Sequence, residues 1–318
     1  MKLLTQIQLD KQPHNQIDYK ANVLLLGSCF SENIGDKFEY FKFQSKVNPF
    51  GIQFHPLAIE NLITRAITKD YYSETELVFN NEQWCCLEAH SKLNAVSKEV
   101  LLNTLNAQIE AAHHYLKKSS HIIITLGTAW VYRYIATNKI VANCHKLKQK
   151  EFIKELLSVE QITASLEAIV SLVRHVNPKV NFIFTVSPVR HLKDGFIENT
   201  QSKSHLVAAI HSLLSHRAKS RCHYFPSYEI VMDELRDYRF YAKDMVHPNE
   251  LAIDYIWGKF KYVWLTEEAL KIADKVAAIQ AKIAHRPFNP NSVAHQQFCD
   301  KLQSEIKDIQ NKYPNITF

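Results

Sequence analysis

The stretch Val23-Leu24-Leu25-Leu26-Gly27-Ser28-Cys29-Phe30 is an apolar run that stops at a glycine and gives way to two side chains able to act as nucleophiles. A short, unbroken apolar run bounded by Gly suits a strand covered on both faces of a parallel sheet better than a strand with one wet face. Ile34, Phe38 and Phe41 follow at helical spacing, so the turn joins a strand to a helix. The first N–H groups of such a helix are free and favour an anion in the turn. Open α/β sheets place their chemistry at that edge. An ordinary strand-to-helix connection would carry the same pattern, and this stretch alone does not choose between the two.

Outward from it, 318 residues give a prior of about two domains, or one large domain with an appendage. Hydrophobic content of 46% and charged content of 22% are ordinary for a globular chain and argue against disorder. No apolar run approaches the ~20 residues needed to cross a bilayer, so no membrane span is expected. The stretch from Met1 to Asp10 is too interrupted by polar residues for a signal-peptide core, and the expected location is cytoplasmic. The formal charge of +6 is spread along the whole chain, with Lys146, Lys148 and Lys150 its densest cluster in what reads as a solvated loop. Nucleic acid is therefore not an expected partner. Cys29, Cys85, Cys86, Cys144, Cys222 and Cys299 follow neither zinc-ligand spacing nor a disulfide framework and read as reduced thiols. No metal and no cofactor is expected.

Along the chain, strand and helix alternate. Residues 1–20 read as a polar arm lying on the surface. Pro49 and Gly51 make a loop after a short second strand, and Pro56 opens a helix with Ile59, Leu62, Ile63, Ala66 and Ile67 on one face. Residues 71–96 read as irregular, with one short hairpin. Ser97 caps a helix bearing Leu101, Leu105, Ile109, Ala112 and Leu116. It leads into a third buried strand from His121 to Leu126, again ended by a glycine, Gly127. Segments 130–135 and 139–143 alternate around Thr137-Asn138 as an inserted hairpin. A helical pattern is expected from about Glu151 to Val176, broken near Ser158. A fourth strand over 180–186 stops at Ser187-Pro188, and a polar loop through Arg190, His191, Lys193 and Gly195 is long enough to reach over a site. A helix bearing Leu206, Ile210, Leu213 and Leu214 and a short fifth strand at His223 to Phe225 complete a parallel sheet with helices on both faces.

The second decisive stretch is Asp244-Met245-Val246-His247-Pro248-Asn249. Pro248 suits the first turn of the helix carrying Leu251, Tyr255 and Phe260, which puts His247 in a loop at its lip. A carboxylate three residues earlier can accept the Nδ1 proton of the imidazole, fix its tautomer and leave Nε2 free to take a proton from a nucleophile. Among 16 histidines, a lone Asp-x-x-His also reads as a plain surface loop.

Taken together, these stretches resemble the ordered blocks of the SGNH, or GDSL, hydrolase superfamily. More closely, Gly27-Ser28-Cys29-Phe30-Ser31 resembles the motif that names the GSCFA family, where the fifth residue is more usually Ala. Asn48-Pro49-Phe50-Gly51, His90-Ser91, Leu126-Gly127-Thr128-Ala129-Trp130, Asn143-Cys144-His145-Lys146, Ser187-Pro188-Val189-Arg190 and Asp244 to Asn249 are similar to that family's pattern over Val23 to Trp257. The resemblance implies a three-layer α/β/α, flavodoxin-like parallel sheet with its site at the carboxyl ends of the strands. It implies acyl chemistry, with Cys29 where the superfamily has its nucleophilic serine and Ser28 where it has the preceding Asp. Cys29 is then the nucleophile and Ser28 the second candidate, with His247 as base and Asp244 as its orienter. A thiol at a helix N-terminus near a histidine is expected to ionise more readily than a free one. The N–H groups of Cys29 and Gly51 match two oxyanion donors. The third, an Asn side chain, falls at Ala129, so Asn143 is a candidate replacement. Asn48, Gly127, Thr128, His145, Arg190 and His90 belong to the oxyanion or substrate side.

The expected organisation is an arm over 1–20, an α/β domain over 21–262 and a helical hairpin extension over 263–318. Leu270, Ile272, Val276, Ile279 and Ile283 of the extension face the main domain or a second copy of the chain. Two functions are carried forward. One is an esterase, deacylase or O-acyltransferase acting on an O-acyl or thioester group, with a small-molecule or carbohydrate acyl substrate. The other is a catalytically lapsed relative that binds a carbohydrate or acyl ligand. A metal site built on Cys85, Cys86, Cys144 and nearby histidines ranks last, since a closed zinc site wants four ligands in recognisable spacing.

Overall fold

The computed structural model describes residues 5–215 and 220–318; Met1 to Leu4 of the expected arm lie outside the described residues. The quoted stretch forms β1 (Asn22–Gly27) and the start of α1 (Cys29–Tyr40). After it come β2 (Gln44–Val47), α2 (Pro56–Thr68), the antiparallel pair β3 (Leu77–Asn80) and β4 (Gln83–Cys86), α3 (Lys98–Lys118) and β5 (His121–Leu126). An insert of β6 (Trp130–Tyr134), β7 (Lys139–Val141) and β8 (Phe152–Leu156) precedes α4 (Val159–Val176) and β9 (Asn181–Val186). The chain finishes with α5 (Phe196–Ser215), β10 (Cys222–Tyr224), the single turn α6 (Ser227–Glu229), α7 (Glu250–Trp264), α8 (Glu267–Ala284) and α9 (Val293–Lys312).

The main sheet is parallel throughout, in the order β10-β9-β5-β1-β2. Its side chains alternate between two cores, as the period of a strand requires. Leu24, Leu26, Ile122, Ile124, Phe182 and Phe184 pack with α2 to α5 on one face. Val23, Leu25, Ile123 and Ile183 pack with α1, α7, α8 and α9 on the other. This is the expected three-layer α/β/α architecture. Counted in chain order, the five parallel strands run 2-1-3-4-5, so the direction of winding reverses between β1 and β5. The crevice beyond their carboxyl ends is where such sheets bind ligands.

Three local readings change. Phe152–Leu156, expected as helix, is β8 paired antiparallel with β6, which makes the insert three-stranded. The helix begins only after Ser158, whose side chain forms a capping box with Gln161. Pro248 stands just before α7, and Asn249 caps it by accepting from the Ala252 N–H at 3.1 Å. The arm is only partly on the surface. Ile17 and Tyr19 are buried, and Ile17 bridges to Leu265, its N–H donating to the Trp264 carbonyl at 2.7 Å.

Candidate active site

The turn after β1 exists because Gly27 leaves no room for a side chain. Its φ is +131°, and a β-carbon there would stand 2.1 Å from the Thr125 carbonyl oxygen. That oxygen accepts the Ser28 N–H at 3.0 Å, and the Asn48 Oδ1 accepts the Gly27 N–H at 2.8 Å. Ser28 is fully buried as the N-cap of α1, with its Oγ accepting from the Phe30 N–H at 3.3 Å. Cys29, the first residue of α1, is only partly covered. The N–H groups of Phe30 and of Cys29 itself lean on its sulfur. Burial outweighs them, however, and the thiol is raised above its ordinary value rather than lowered. The Lys203 ammonium opposes this rise and the Glu32 carboxylate adds to it. The expectation of a readily ionised thiol is thus corrected: desolvation exceeds the pull of the helix terminus.

The base half is assembled in one turn. Asp244 Oδ2 lies 2.6 Å from His247 Nδ1, and its Oδ1 accepts the N–H groups of Val246 and His247, each at 3.0 Å. Those two backbone bonds, and then the imidazole, hold the Asp244 carboxyl down to about 2. The imidazole is therefore fixed with Nδ1–H toward Asp244 and its Nε2 outward.

The other expected residues surround the same end of the sheet, with mixed roles. The Gly51 N–H is already donated to the Asn48 carbonyl at 2.8 Å, so the expected oxyanion donor is engaged in a turn. His90 abuts Gly51, and its Nδ1 accepts the Lys92 N–H at 3.3 Å. Asn48 keeps a buried amide nitrogen without a partner. Ala129 is fully buried, and its N–H and the Thr128 hydroxyl both go to Ser202 Oγ, at 2.7 and 3.1 Å. Asn143 Oδ1 accepts the His145 N–H at 2.8 Å. His145 is buried with Nε2 between the Cys86 and Ala89 carbonyls, so that nitrogen carries the proton and the ring pins a loop. Burial also lowers its protonation. Arg190 donates to the Tyr241 hydroxyl at 3.2 Å and to Met232 Sδ at 2.7 Å. Cys85, Cys86 and Cys144 are pushed up by desolvation to about 11, about 12 and about 11. Among the described residues, no group of three histidine, cysteine or carboxylate side chains is arranged to hold a metal ion.

Of two further residues central to this end of the sheet, His191 was read from sequence only as part of a loop reaching over a site, and Lys203 was not singled out at all. Lys203 of α5 is 1% exposed, with Nζ donating to the Gly127 carbonyl at 2.6 Å and to the Ser187 carbonyl at 2.8 Å. Burial pushes it down to about 7, with Cys29 raising it and Arg190 lowering it. His191 packs edge-on against Phe54, and its Nε2 would meet a β-carbon on Gly127 at 3.3 Å. It is pushed down to about 4, first by burial, then by Lys203, with Asp194 opposing and His247 adding. Sequence carried a signal for Lys203: Asn199, Lys203, Leu206, Ile210 and Leu213 form one buried stripe at helical spacing, its polar end pointing to the site.

The loop that bears Arg190 and His191 separates two cavities, and Leu192 lines both. One, of about 490 Å³, is walled by Thr128, Trp130, Asn143, His145 and His191. The other, of about 530 Å³, is walled by Arg190, Met232, Tyr238, Tyr241 and Asp244.

Among solved structures, the chain is similar to an acetyl xylan esterase from the rumen bacterium Butyrivibrio proteoclasticus, with 9% identity and a TM-score of 0.38 over 77% of this chain. The match spans 65% of that esterase's own length. It is also similar to an acetyl esterase mutant solved with acetate (12% identity, TM-score 0.35, 80% of this chain and 99% of that one). A carbohydrate esterase family 3 structure from Talaromyces cellulolyticus matches at 10% identity and a TM-score of 0.35, over 80% of this chain and 98% of that one. No curated protein matches the chain. A model of the GSCFA domain protein C-terminal domain matches residues 276–318. The GSCFA family model matches residues 22–260, a span that runs from β1 through the Asp244–His247 turn into α7. By that span, three quarters of its length, the chain belongs to the GSCFA family.

Proposed function

We propose that the protein is an SGNH-like acyl-transfer enzyme, an esterase, deacylase or O-acyltransferase, with Cys29 as its nucleophile. What supports this reading is a partly covered thiol at the head of α1, directly after β1, together with an imidazole held in one tautomer by Asp244 in the turn before α7. His247 Nε2 takes the Sγ proton as sulfur bonds to the acyl carbon, and the carbonyl electron pair moves onto oxygen. Collapse of that adduct expels the alcohol or thiol, which takes the proton from His247 and leaves a thioester on Cys29. Water or an acceptor alcohol then repeats the steps in reverse. Cys29 is preferred to Ser28 because Ser28 is fully buried and committed to capping α1. The substrate class this reading takes is a small-molecule or carbohydrate acyl compound; of the two cavities flanking Leu192, one is bordered by Asp244. The apolar stripe of α8 is largely spent on the second core, so it is drawn to the main domain rather than left for a second copy of the chain.

The test is intact-mass and peptide-mapped trapping of an acyl group with an aryl ester and an aryl thioester, on wild type, His247→Ala and Asp244→Asn. An acyl adduct on Cys29 is expected, formed at least about 100-fold more slowly in either variant. An adduct on Ser28 would move the nucleophile by one residue, and no adduct would remove the enzyme reading. A second reading, a lapsed relative that binds a carbohydrate or acyl ligand, is favoured by Ala129 at the third donor position and by the engaged Gly51 N–H. It expects ligand-induced thermal stabilisation that survives His247→Ala.

A further inference from the structure

A fully covered lysine needs a physical account, since a buried ammonium is costly unless its charge is compensated. Lys203 donates two of its three N–H bonds, to carbonyls that end neighbouring strands: Gly127 follows β5 and Ser187 follows β9. The β1–β5 register pairs Gly27 with Thr125, so Cys29 and Gly127 stand two residues beyond the same rung. The ammonium is therefore seated at the carboxyl ends of β5 and β9, one strand over from the head of α1, and the charges of Lys203 and Cys29 act on each other.

The groups around this couple come from several elements. From α1 there are Cys29 itself and Glu32, whose carboxylate disfavours the thiolate. From the loop after β9 there are Arg190, acting on Lys203, and His191, on which Lys203 and Asp194 act with opposite sign. From the turn before α7, His247 acts on His191. Of the charges acting on the thiol, Lys203 has the largest effect.

We propose that Lys203 is a positioning residue that acts through Cys29: clamped between the Gly127 and Ser187 carbonyls, its ammonium is the buried counter-charge that makes the thiolate accessible. This rests on Cys29 being the nucleophile. The couple then loses its first proton as a unit, leaving one population with thiolate and ammonium and another with thiol and amine. Raising the pH further strips the ammonium and withdraws the counter-charge. The logarithm of thiolate reactivity should rise, level off, and rise again.

The experiment is peptide-mapped iodoacetamide labelling of the full chain from pH 5 to 10, following the Cys29 rate in wild type, Lys203→Met and Lys203→Arg, with circular dichroism on each. Wild type is expected to show the shoulder. Lys203→Met should show a single rise displaced upward, with a Cys29 rate at pH 7.5 at least about tenfold lower, the equivalent of one pKa unit. Lys203→Arg, which keeps a permanent charge, should recover much of that rate without the shoulder. Lys203→Met strands two buried carbonyls, so if it does not fold, the wild-type curve decides: a single featureless rise overturns the proposal. Superimposable wild-type and Met profiles overturn it as well. An acyl adduct on Cys29 alongside superimposable profiles would sink the Lys203 role while leaving the acyl-transfer reading intact. A shoulder without any adduct would keep the coupled pair and sink the enzyme reading.

Discussion

Gly51 has a φ of +74°, and a β-carbon there would come within 2.4 Å of the His90 Cβ. Gly51→Ala should therefore cost about 2 kcal/mol, by backbone strain and the displaced imidazole together, read as a lower urea midpoint. An unchanged midpoint would mean that the loop rearranges freely. The same position shows how far single residues were legible. Its glycine marks a loop in the sequence, but only the fold reveals that its N–H is spent on Asn48. The Asp244–His247 hydrogen bond was legible because it is local, three residues apart in one turn. The burial that raises the Cys29 thiol was not, because desolvation depends on the packed fold and the largest charge acting on it, Lys203, comes from α5, far along the chain.

At the scale of elements, unbroken apolar runs identified β1, β5 and β9, which are buried on both faces, whereas β2, half-buried throughout, and the three-residue β10 were legible only from the Pro and Gly punctuation that follows them. Apolar pattern failed at β8. The segment is short and its central residues Ile153 and Lys154 are exposed, so it offers neither an apolar run nor a clean alternation, and its pairing with β6 lies in another part of the chain. The irregular stretch before α3 is likewise organised from a distance. Arg65 of α2 is 7% exposed and reaches Glu88 at 2.7 Å through its Nε, Asp70 at 3.1 Å and Glu76. Its guanidinium also sits 4.2 Å from the centre of the Tyr72 ring. One cation thereby ties α2 to the β3–β4 hairpin. Arg65→Met should cost about 3 kcal/mol by stranding Glu88 and Glu76, with hydrogen exchange rising first across residues 70–90. Loss of protection confined to α2 would contradict this.

Across the whole molecule, burial leaves several imidazoles neutral. His55 and His191 are each pushed down to about 4, and His121, His145 and His223 are lowered too, in every case with desolvation as the leading cause. Between an unfolded value near 6.5 and about 4, the unfolded chain binds protons that the folded one refuses. Stability is thus fully present above pH 6.5 and lost as the pH falls toward 4. The melting temperature should drop by several degrees between pH 7 and pH 5, and the drop should shrink in His55→Gln. A flat profile would mean that these rings are hydrated. No helix among the described residues is long and apolar enough to cross a membrane. The central strands of the sheet announce themselves locally, whereas the burial of Ile17 was not readable, because what covers it is the Trp264–Leu265 segment far along the chain; Tyr19 is covered nearer by, stacked 4.2 Å from Phe43. The bridge from Ile17 to Leu265 joins residues separated by most of the polypeptide. During synthesis, Ile17 must therefore wait, unpaired, until Leu265 has left the ribosome. The closure of the second core is a late and entropically costly event, however early the first strand takes shape.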